Sequence, residues 1–407
     1  MLKNRLNKYV IAISLVVFFS SCEGTEMSET AYVHFAEKRM ETLLDQFNVL
    51  LENCKEADGL PKSIDEQGKQ TWCSPKWDWV SGFFPGICWN IYDYTKHEDY
   101  KDEAIYFQNM LLDQRFYEKS HDLGFVFNNS FGKGFSITRD SAMKRVLIDA
   151  GNTLAERYNK NVGCLQSWTV NNETDNGWMS KRGWDFPVIV DNLVNLELMF
   201  KLTQLTGDSI YWNKAVSHAD VTMKNHYRED YSSYHVVDYN SETGEIRSKQ
   251  TAQGYAHESA WARGQAWGLY GYTMCYRYTK DVKYLRHAEA IAGYILDNLP
   301  EDGIPCWDFK APATLRIQKD ASAGAIIASA LIELNDYSDA DYLKTAYTIL
   351  KELSSSNYHN YNGKNHGFIL DHSVGSIPHN AEIDVPLIYA DYYYIEALMR
   401  LTKKSQG

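Results

Sequence analysis

Residues 251–270 concentrate aromatic, amide and guanidinium groups within one short stretch. The segment TAQGYAHESAWARGQAWGLY contains Gln253, Trp261, Arg263 and Trp267. Aromatic faces stack on the apolar faces of sugar rings, and a guanidinium binds a carboxylate through paired hydrogen bonds. Core packing is the alternative role for the tryptophans, since large aromatic residues are mostly buried. The glycines and alanines between them allow another group to approach the backbone closely, which favours a binding site.

A carboxyl group in apolar surroundings is the first candidate for acid catalysis. Asp191 lies in GWDFPVIVDNLVNLEL, with Val190 and Leu193 close by in the chain. Burial would raise the pKa of this carboxyl and keep a proton available for donation. Pro187 fits the first turn of a helix, which would place Asp191 one turn in. An exposed or helix-capping aspartate is the alternative interpretation.

Four further polar residues are candidates for the same site. His121 and Asp122 lie in the loop sequence KSHDLGFVFNNSFGKGF, where Asp122 could tune the first acid or orient a hydroxyl group. A turn aspartate is an equally good interpretation of Asp122. His235, on a predicted β-hairpin, could face the pocket or simply pack. Asp185 is a spare carboxylate close to the first candidate.

Other chemistries lack their sequence signatures. The twelve histidines form no HExxH or similar ligand spacing, and neither a phosphate-binding glycine motif nor GxSxG occurs. The formal charge is 41 − 53 = −12, whereas nucleic-acid binding requires a basic surface. We therefore expect no metal, no cofactor and no nucleic-acid partner.

A weak repeat of helix pairs predicts the fold. Each unit is an apolar helix, a short polar junction and a second helix opening with Tyr-x-x-x-Ala. Asp or Ser at the junctions suits helix caps, and a repeated helix pair buries its apolar face against its neighbours. The pairs are Tyr100/Ala104, Tyr211/Ala215, Tyr284/Ala288 and Tyr342/Ala346, with a degenerate copy at Val146/Ala150.

Five units, with helices near 32–52 and 384–402, give about twelve helices. The spacing of the units is irregular, and the extra length falls before the first helix of each pair. This favours a closed (α/α)6 toroid with its loops over one mouth, rather than a regular solenoid. One small β-hairpin is predicted around YSSYHVVDYNSETGEIRSK. We expect a single all-α domain over residues 31–405; the oligomeric state does not follow from the sequence.

The N-terminus has the pattern of an export signal. Three basic residues precede an apolar run over 10–19 that is too short to span a bilayer, and Ser20 and Ser21 precede Cys22. We expect a lipoprotein-type signal peptide over 1–21, a lipid on Cys22 and a tether over 22–30, although Phe19 stands where leucine is usual. The protein would be an exported periplasmic or outer-membrane lipoprotein of a Gram-negative bacterium, touching the membrane only through its lipid anchor.

Cysteine usage adds little to this picture. Six cysteines follow Cys22, and none forms a CxxC pair. In an exported protein, one or two disulfides could form among them.

Seven segments together resemble the unsaturated glucuronyl hydrolases of glycoside hydrolase family 88. The resemblance extends over roughly 30–405, and SAWARGQAW is its most specific element. The matching segments are GFFPG at 82–86, HDLGF at 121–125, DNLVNLEL from Asp191, SSYH at 232–235, QGY at 253–255, SAWARGQAWGLYGY at 259–272 and DVPLIYADYYYIEAL at 384–398. The (α/α)6 toroid of that family agrees with the helix repeat.

The resemblance implies a substrate with a 4,5-unsaturated uronic acid at its non-reducing end, as polysaccharide lyases produce. The implied reaction is hydration of a vinyl ether, which differs from two-carboxylate displacement at the anomeric carbon. Asp191 matches the general acid/base and Asp122 the second essential aspartate. His121, His235, Gln253 and Arg263 match residues that hold the unsaturated ring, and Trp261, Trp267 and Trp79 match the stacking walls.

One loop departs from the pattern of family members that favour sulfated sugars. In HSVGSIPHN, Ser373 and Ser376 are candidate substrate ligands, but Pro378 stands where lysine is expected. The sulfate preference is therefore open. The alternatives are an unsaturated rhamnogalacturonyl hydrolase, a non-catalytic sugar-binding lipoprotein and an ordinary inverting glycosidase.

Overall fold

The computed structural model describes residues 28–170, 179–361 and 363–406. The predicted signal peptide, Cys22 and most of the predicted tether lie outside these residues. The described part consists mainly of α-helices with a few short strands.

Six inner helical elements form a closed ring. Consecutive elements pack side by side, and the last one packs against the first. They are α2 (Phe83–Thr95), the π-helical segment Gly124–Gly132 continued by α4 (Lys133–Thr138), α6 (Asn192–Thr206), α8 (Ala262–Thr279), α10 (Ala321–Leu334) and α12 (Ile388–Thr402).

Six outer helices surround this ring, each packed on one inner element. They are α1 (Glu29–Ala57), α3 (Glu98–Asn109), α5 (Ser141–Glu156), α7 (Ser209–His226), α9 (Val282–Asn298) and α11 (Leu343–Leu353). The predicted (α/α)6 toroid is confirmed. Short 3₁₀ turns complete the helical structure at Leu112–Phe116, Ser180–Arg182, Asn365–Gly367 and Lys403–Gln406.

The inner and outer helices differ in residue composition. Every residue of α10 is buried, and its sequence ASAGAIIASALIEL is apolar on all sides, as a helix enclosed by neighbours requires. The outer helix α9 buries only one face, on which Ala288, Ile291 and Ile295 follow each other at intervals of three and four residues. The alanines of the four Tyr-x-x-x-Ala pairs are fully buried, which explains why a small residue recurs there.

Aspartates begin several of the outer helices. The carboxylates of Asp140, Asp208 and Asp281 accept hydrogen bonds from the backbone N–H two residues ahead, at 2.7, 2.9 and 3.1 Å. Each bond satisfies one of the free N–H groups of a first turn. The predicted caps at the junctions are confirmed at these positions.

The prediction of one β-hairpin was incomplete. The expected hairpin is present as β6 (Val236–Tyr239) and β7 (Ile246–Gln250). A further strand, β5 (Phe186–Ile189), pairs with β6 to make a three-stranded sheet, and three two-stranded sheets accompany it. These strands have two to five residues, too few for a clear alternation of apolar and polar residues. The strands are β1 (Pro61–Ile64), β2 (Gln70–Trp72), β3 (Tyr158–Asn159), β4 (Cys164–Leu165), β5 (Phe186–Ile189), β6 (Val236–Tyr239), β7 (Ile246–Gln250), β8 (Ser373–Ser376) and β9 (Ala381–Val385).

The predicted helix start at Pro187 was wrong. Pro187 lies in β5, and α6 begins only after Asp191, which occupies the N-cap position. All four residues of β5 are buried. A continuous apolar run of this kind does not distinguish a short buried strand from a helix.

No disulfide forms among the described cysteines. Five of them are buried as free thiols and Cys306 is a half-buried one. The expectation of one or two disulfides is therefore not met in residues 28–406. Within the described ranges, no helix has both the length and the apolar character needed to cross a membrane.

A network of ion pairs lies between three of the inner helices. Arg277 of α8 lies 3.0 Å from Glu197 of α6 and 3.2 Å from Glu333 of α10. Burial alone would raise the pKa of Glu197, but Arg277 and Lys201 lower it to about 2. These side chains therefore stay ionised inside the ring, and their ion pairs connect three of its inner helices.

A glycine permits the close packing on which the catalytic end of the ring depends. A Cβ at Gly124 would lie 2.4 Å from Cα of Asn195, so the π-helical segment could not approach α6 as it does. We predict that Gly124→Ala destabilises the protein by about 1–3 kcal/mol, because overpacking forces the two elements apart. Urea unfolding measures the loss.

Gly293→Ala is the matched control, since nothing lies within 4 Å of its added Cβ in α9. This variant should gain about 0.5–1 kcal/mol from helix propensity. Equal stability changes in the two variants would contradict the packing argument.

Candidate active site

The starts of the inner helices enclose a small cavity of about 110 Å³. Eight of the eleven predicted site residues line it, whereas His235, Ser373 and Ser376 do not form its surface. The lining residues are Trp79, His121, Asp122, Phe125, Trp168, Ile189, Asp191, Gln253, Trp261, Arg263 and Trp267.

Asp191 is buried at the base of α6, and 7% of its surface is exposed. Although it occupies the N-cap position, its carboxylate does not cap the helix. Among the described residues, Oδ1 has no hydrogen-bond partner, and Oδ2 lies 4.0 Å from Nε2 of His235. Burial, with a smaller contribution from the charge of Asp122, raises the pKa of Asp191 to about 8 against the opposing effect of Arg263. The carboxyl group is therefore mainly protonated at neutral pH.

His235 supports this carboxyl group from behind. Its Nδ1 accepts hydrogen bonds from the backbone N–H groups of Ala252 and Gln253, both at 3.2 Å, which places the ring proton on Nε2. That nitrogen faces Asp191. Burial and the charge of Arg263 hold the pKa of His235 well below its usual range, so the ring is neutral. The ring packs against Trp261 with a centroid distance of 4.4 Å.

Asp122 has a different environment from Asp191. Its Oδ2 accepts a hydrogen bond from Ser120 Oγ at 2.5 Å, and its Oδ1 lies 3.2 Å from Nε2 of His121. His121 is fully buried, and burial lowers its pKa although the charge of Asp122 opposes the shift. Two carboxyl groups thus face one cavity, one with polar partners on both oxygens and one without. Such a difference separates the roles of paired carboxyl groups.

Arg263 lines the cavity but its guanidinium is bound within the protein. Nη1 donates to Asp320 Oδ2 at 3.1 Å and to the carbonyl of Val374, and Nη2 donates to the carbonyl of Gly375 at 2.7 Å. The sequence led us to expect that Arg263 binds a carboxylate of the ligand; in the structure, its carboxylate partner is Asp320. Whether Arg263 also holds a substrate carboxylate stays a prediction.

Two of the three predicted stacking residues that line the cavity are almost fully buried. Trp267 is 1% exposed and packs on Phe125 and Tyr393 at centroid distances of 5.0 and 5.3 Å. Trp261 is 3% exposed and lies under the guanidinium of Arg263. Core packing and site lining therefore coincide in both residues. Trp79 is half-buried, so more of its surface is accessible than in the other two residues.

The β8–β9 hairpin lies just behind these walls. Gln253 Nε2 donates to the carbonyl of Gly375 at 3.1 Å, so the hairpin backbone orients this amide. Ser373 is fully buried, and Ser376 Oγ bonds to Nδ1 of His379 at 2.7 Å. Pro378 lies in the turn between the two strands. The serines therefore border the cavity without lining it.

Comparison with known proteins places this arrangement in a family. Residues 55–407 match the profile of Glycosyl Hydrolase Family 88. The chain belongs to this family. It is accordingly a glycoside hydrolase with the family's helical ring.

Three known proteins are similar to this chain over most of its length. The unsaturated glucuronyl hydrolase of Formosa agariphila is 42% identical over 395 residues, which cover 96% of each chain. The unsaturated chondroitin disaccharide hydrolase of Streptococcus pneumoniae is 32% identical over 80% of this chain and 82% of its own. The crystal structure of an unsaturated glucuronyl hydrolase specific for heparin has a TM-score of 0.84 and 39% identity, covering 93% of this chain and 98% of that chain.

Several residues of this family 88 site were missed from the sequence. Trp168 lines the cavity and stacks on Trp184, with 5.7 Å between ring centroids, but it lies in a short irregular segment without a recognisable pattern. Asp320 and Ser120 act through hydrogen bonds to Arg263 and Asp122. The one available signal was the sequence DAS at 320–322, which is typical of a helix cap. Among the described residues, no three His, Cys, Asp or Glu side chains lie close enough to hold a metal ion.

The raised pKa of Asp191 predicts a pH-dependent stability. The folded-state pKa of about 8 exceeds the usual value of about 3.9, so the contribution of Asp191 to stability is most favourable below about pH 4 and weakens as pH rises towards about 8. Asp191→Asn does not titrate. Its stability relative to the wild type should therefore rise by about 1.4 kcal/mol per pH unit across that window and then level off.

Urea unfolding of both proteins at a series of pH values measures this difference. A difference that stays constant from pH 4 to pH 8 would show that Asp191 ionises normally in the folded protein.

Proposed function

We propose that this chain removes a 4,5-unsaturated uronic acid from the non-reducing end of oligosaccharides that lyases release from glycosaminoglycans. The observation that carries the proposal is Asp191, a protonated carboxyl group in a cavity with aromatic walls, whose Oδ1 has no hydrogen-bond partner in the described part of the chain. Such a group donates a proton readily. The names of the relatives support the substrate class.

The reaction proceeds in three steps. Asp191 gives its proton to C4 of the unsaturated ring, and positive charge develops at C5 and on the ring oxygen. Water adds at C5, and the carboxylate of Asp191 accepts a proton from it, which restores the acid. The product is a hemiketal, whose opening leads to loss of the glycosidic link.

The neighbouring residues match the requirements of these steps. Asp122 faces the same cavity, and a carboxylate there stabilises the positive charge that develops on the ring. Because His121 and His235 are both neutral, they add no cation that would oppose protonation of the sugar. Arg263 supplies a local positive charge for the uronic carboxylate in a protein whose formal charge is −12.

An adjoining outer cleft accommodates the rest of the oligosaccharide. The cleft has a volume of about 590 Å³ and shares Trp79, Asp122 and Trp168 with the inner cavity. On its far side, Trp77 stacks on Tyr117 with a centroid distance of 4.2 Å. A narrow inner space for one ring and an aromatic outer cleft suit an enzyme that acts on chain ends.

A panel of lyase digests tests the proposal. The 4,5 double bond absorbs ultraviolet light, and hydration removes that absorbance. We predict that the protein removes the ultraviolet absorbance of heparin or chondroitin digests, with and without sulfate, and leaves saturated oligosaccharides intact. Loss of absorbance in the rhamnogalacturonan digest alone would replace the glycosaminoglycan assignment with pectin breakdown. Cleavage of saturated sugars would indicate an ordinary glycosidase.

Asp191→Asn tests the role of the acid. We predict a fall in kcat of at least about 10²–10⁴-fold with substrate binding largely retained, because only proton donation is lost. Asp185→Asn is the matched control, since this nearby carboxylate is exposed and bonds to the backbone and side chain of Ser241. Full activity of Asp191→Asn would remove the assignment, and binding without turnover in the wild type would indicate a sugar-binding lipoprotein.

We further propose that the protein is an exported lipoprotein held to the membrane by Cys22. The basic, apolar and small residues before Cys22 support this proposal. In a Gram-negative host, the full chain should incorporate labelled palmitate and sediment with membranes, whereas Cys22→Ser should do neither. Cys306→Ser, which alters a half-buried cysteine of the folded domain, should behave as the wild type. An unlabelled wild-type protein would contradict the proposal.

A further inference from the structure

Asp320 connects three elements behind the cavity, none of them adjacent in sequence. It lies at the N-cap of α10 and is fully buried. Its Oδ2 accepts the hydrogen bond from Arg263 at the start of α8, and its Oδ1 accepts from the backbone N–H groups of Ser322 and Val374 at 3.1 and 3.4 Å. Ser322 Oγ adds a short bond of 2.5 Å to the same oxygen.

The contacts of Arg263 return to the same hairpin. Its guanidinium donates to the carbonyls of Val374 and Gly375 in β8, and Gly375 also accepts the amide of Gln253. The Asp320–Arg263 ion pair and strand β8 therefore stabilise each other. Asp320 accepts hydrogen bonds from Arg263 and from the N–H of Val374, and Arg263 donates to the carbonyl of Val374. A single carboxylate thereby determines where a cavity-lining cation and a cavity-lining amide stand.

We propose that Asp320 is a positioning residue for the reaction. It fixes Arg263 on the cavity wall, neutralises part of its charge in the direction of Asp191, and holds the β8–β9 hairpin in register behind the site. This inference rests on the proposed function and adds to it a residue that does not itself line the cavity.

The charge of Asp320 matters because Arg263 and Asp191 face the same cavity. When Asp320 is ionised, its negative charge largely cancels the effect of the positive charge of Arg263 on Asp191. Without that charge, Arg263 would favour the ionised form of Asp191 more strongly. The groups that face Asp191 from the surrounding elements are His121, Asp122, Tyr227, His235 and Arg263, and those that face Arg263 are Asp191, Asp320, Glu382 and Tyr389.

Asp320→Asn separates the charge from the cap. Asparagine is as good an N-cap as aspartate, so the first turn of α10 keeps its acceptor. We predict that the alkaline limb of the pH profile of kcat/KM moves to lower pH by about one unit, because an opposite charge beside an acid lowers its pKa by about that much or more. Stopped assays of double-bond absorbance from pH 5 to pH 10 give the profile.

Asp208→Asn is the matched control, because Asp208 caps the outer helix α7 on the surface and should leave the limb in place. A purely structural Asp320 would lower the melting temperature and reduce the rate equally at every pH. An alkaline limb at the wild-type position in Asp320→Asn would overturn the inference. A wild-type protein without activity on any unsaturated substrate would instead overturn the proposed function.

Asp320→Glu provides a second test should the asparagine variant fail to fold. It keeps the charge but moves it by one methylene group. We expect kcat/KM to fall by about tenfold or more through misplacement of Arg263, with an unchanged alkaline limb. A folded glutamate variant with wild-type kcat/KM would contradict a positioning role.

Discussion

The chemistry of this protein depends on one carboxyl group that the fold removes from water and leaves without a strong partner. The helical ring brings the base of α6 against the starts of α8 and the π-helical segment, and the apolar residues around Asp191 exclude solvent. Desolvation penalises the charged form of an acid, so the proton remains bound at a pH at which solvent-exposed aspartates have lost theirs. The same burial that weakens the fold at neutral pH prepares the acid for donation.

The remaining site residues preserve this condition. Burial keeps His121 and His235 neutral, so neither ring carries a positive charge that would favour loss of the proton from Asp191. Arg263, a fully buried cation that lines the cavity, is balanced by Asp320 and by backbone carbonyls. Asp122 accepts a hydrogen bond from Ser120 and lies 3.2 Å from Nε2 of His121. Electrostatic balance within the cavity is therefore as important as the acid itself.

The sequence predicted features that depend on local patterns and missed those that depend on long-range contacts. The helix pairs followed from the Tyr-x-x-x-Ala repeat, and the burial of Asp191 followed from its valines and leucines. The start of α6 was misplaced because the buried strand β5 has the same apolar pattern as a helix. The partner of Arg263 could not be foreseen, since Asp320 is 57 residues away and Val374 is 111 residues away. Family resemblance identified eight of the eleven residues that line the cavity, but not the hydrogen bonds that position them.

The protonation state of Asp191 can be observed directly by carbon NMR. In protein labelled at the aspartate carboxyl carbon, the signal missing from Asp191→Asn identifies the residue. The account predicts that this signal shifts with a midpoint near pH 8, in agreement with its burial. A midpoint near the ordinary aspartate value of about 3.9 would contradict it, because the group would then be a carboxylate under the conditions of catalysis.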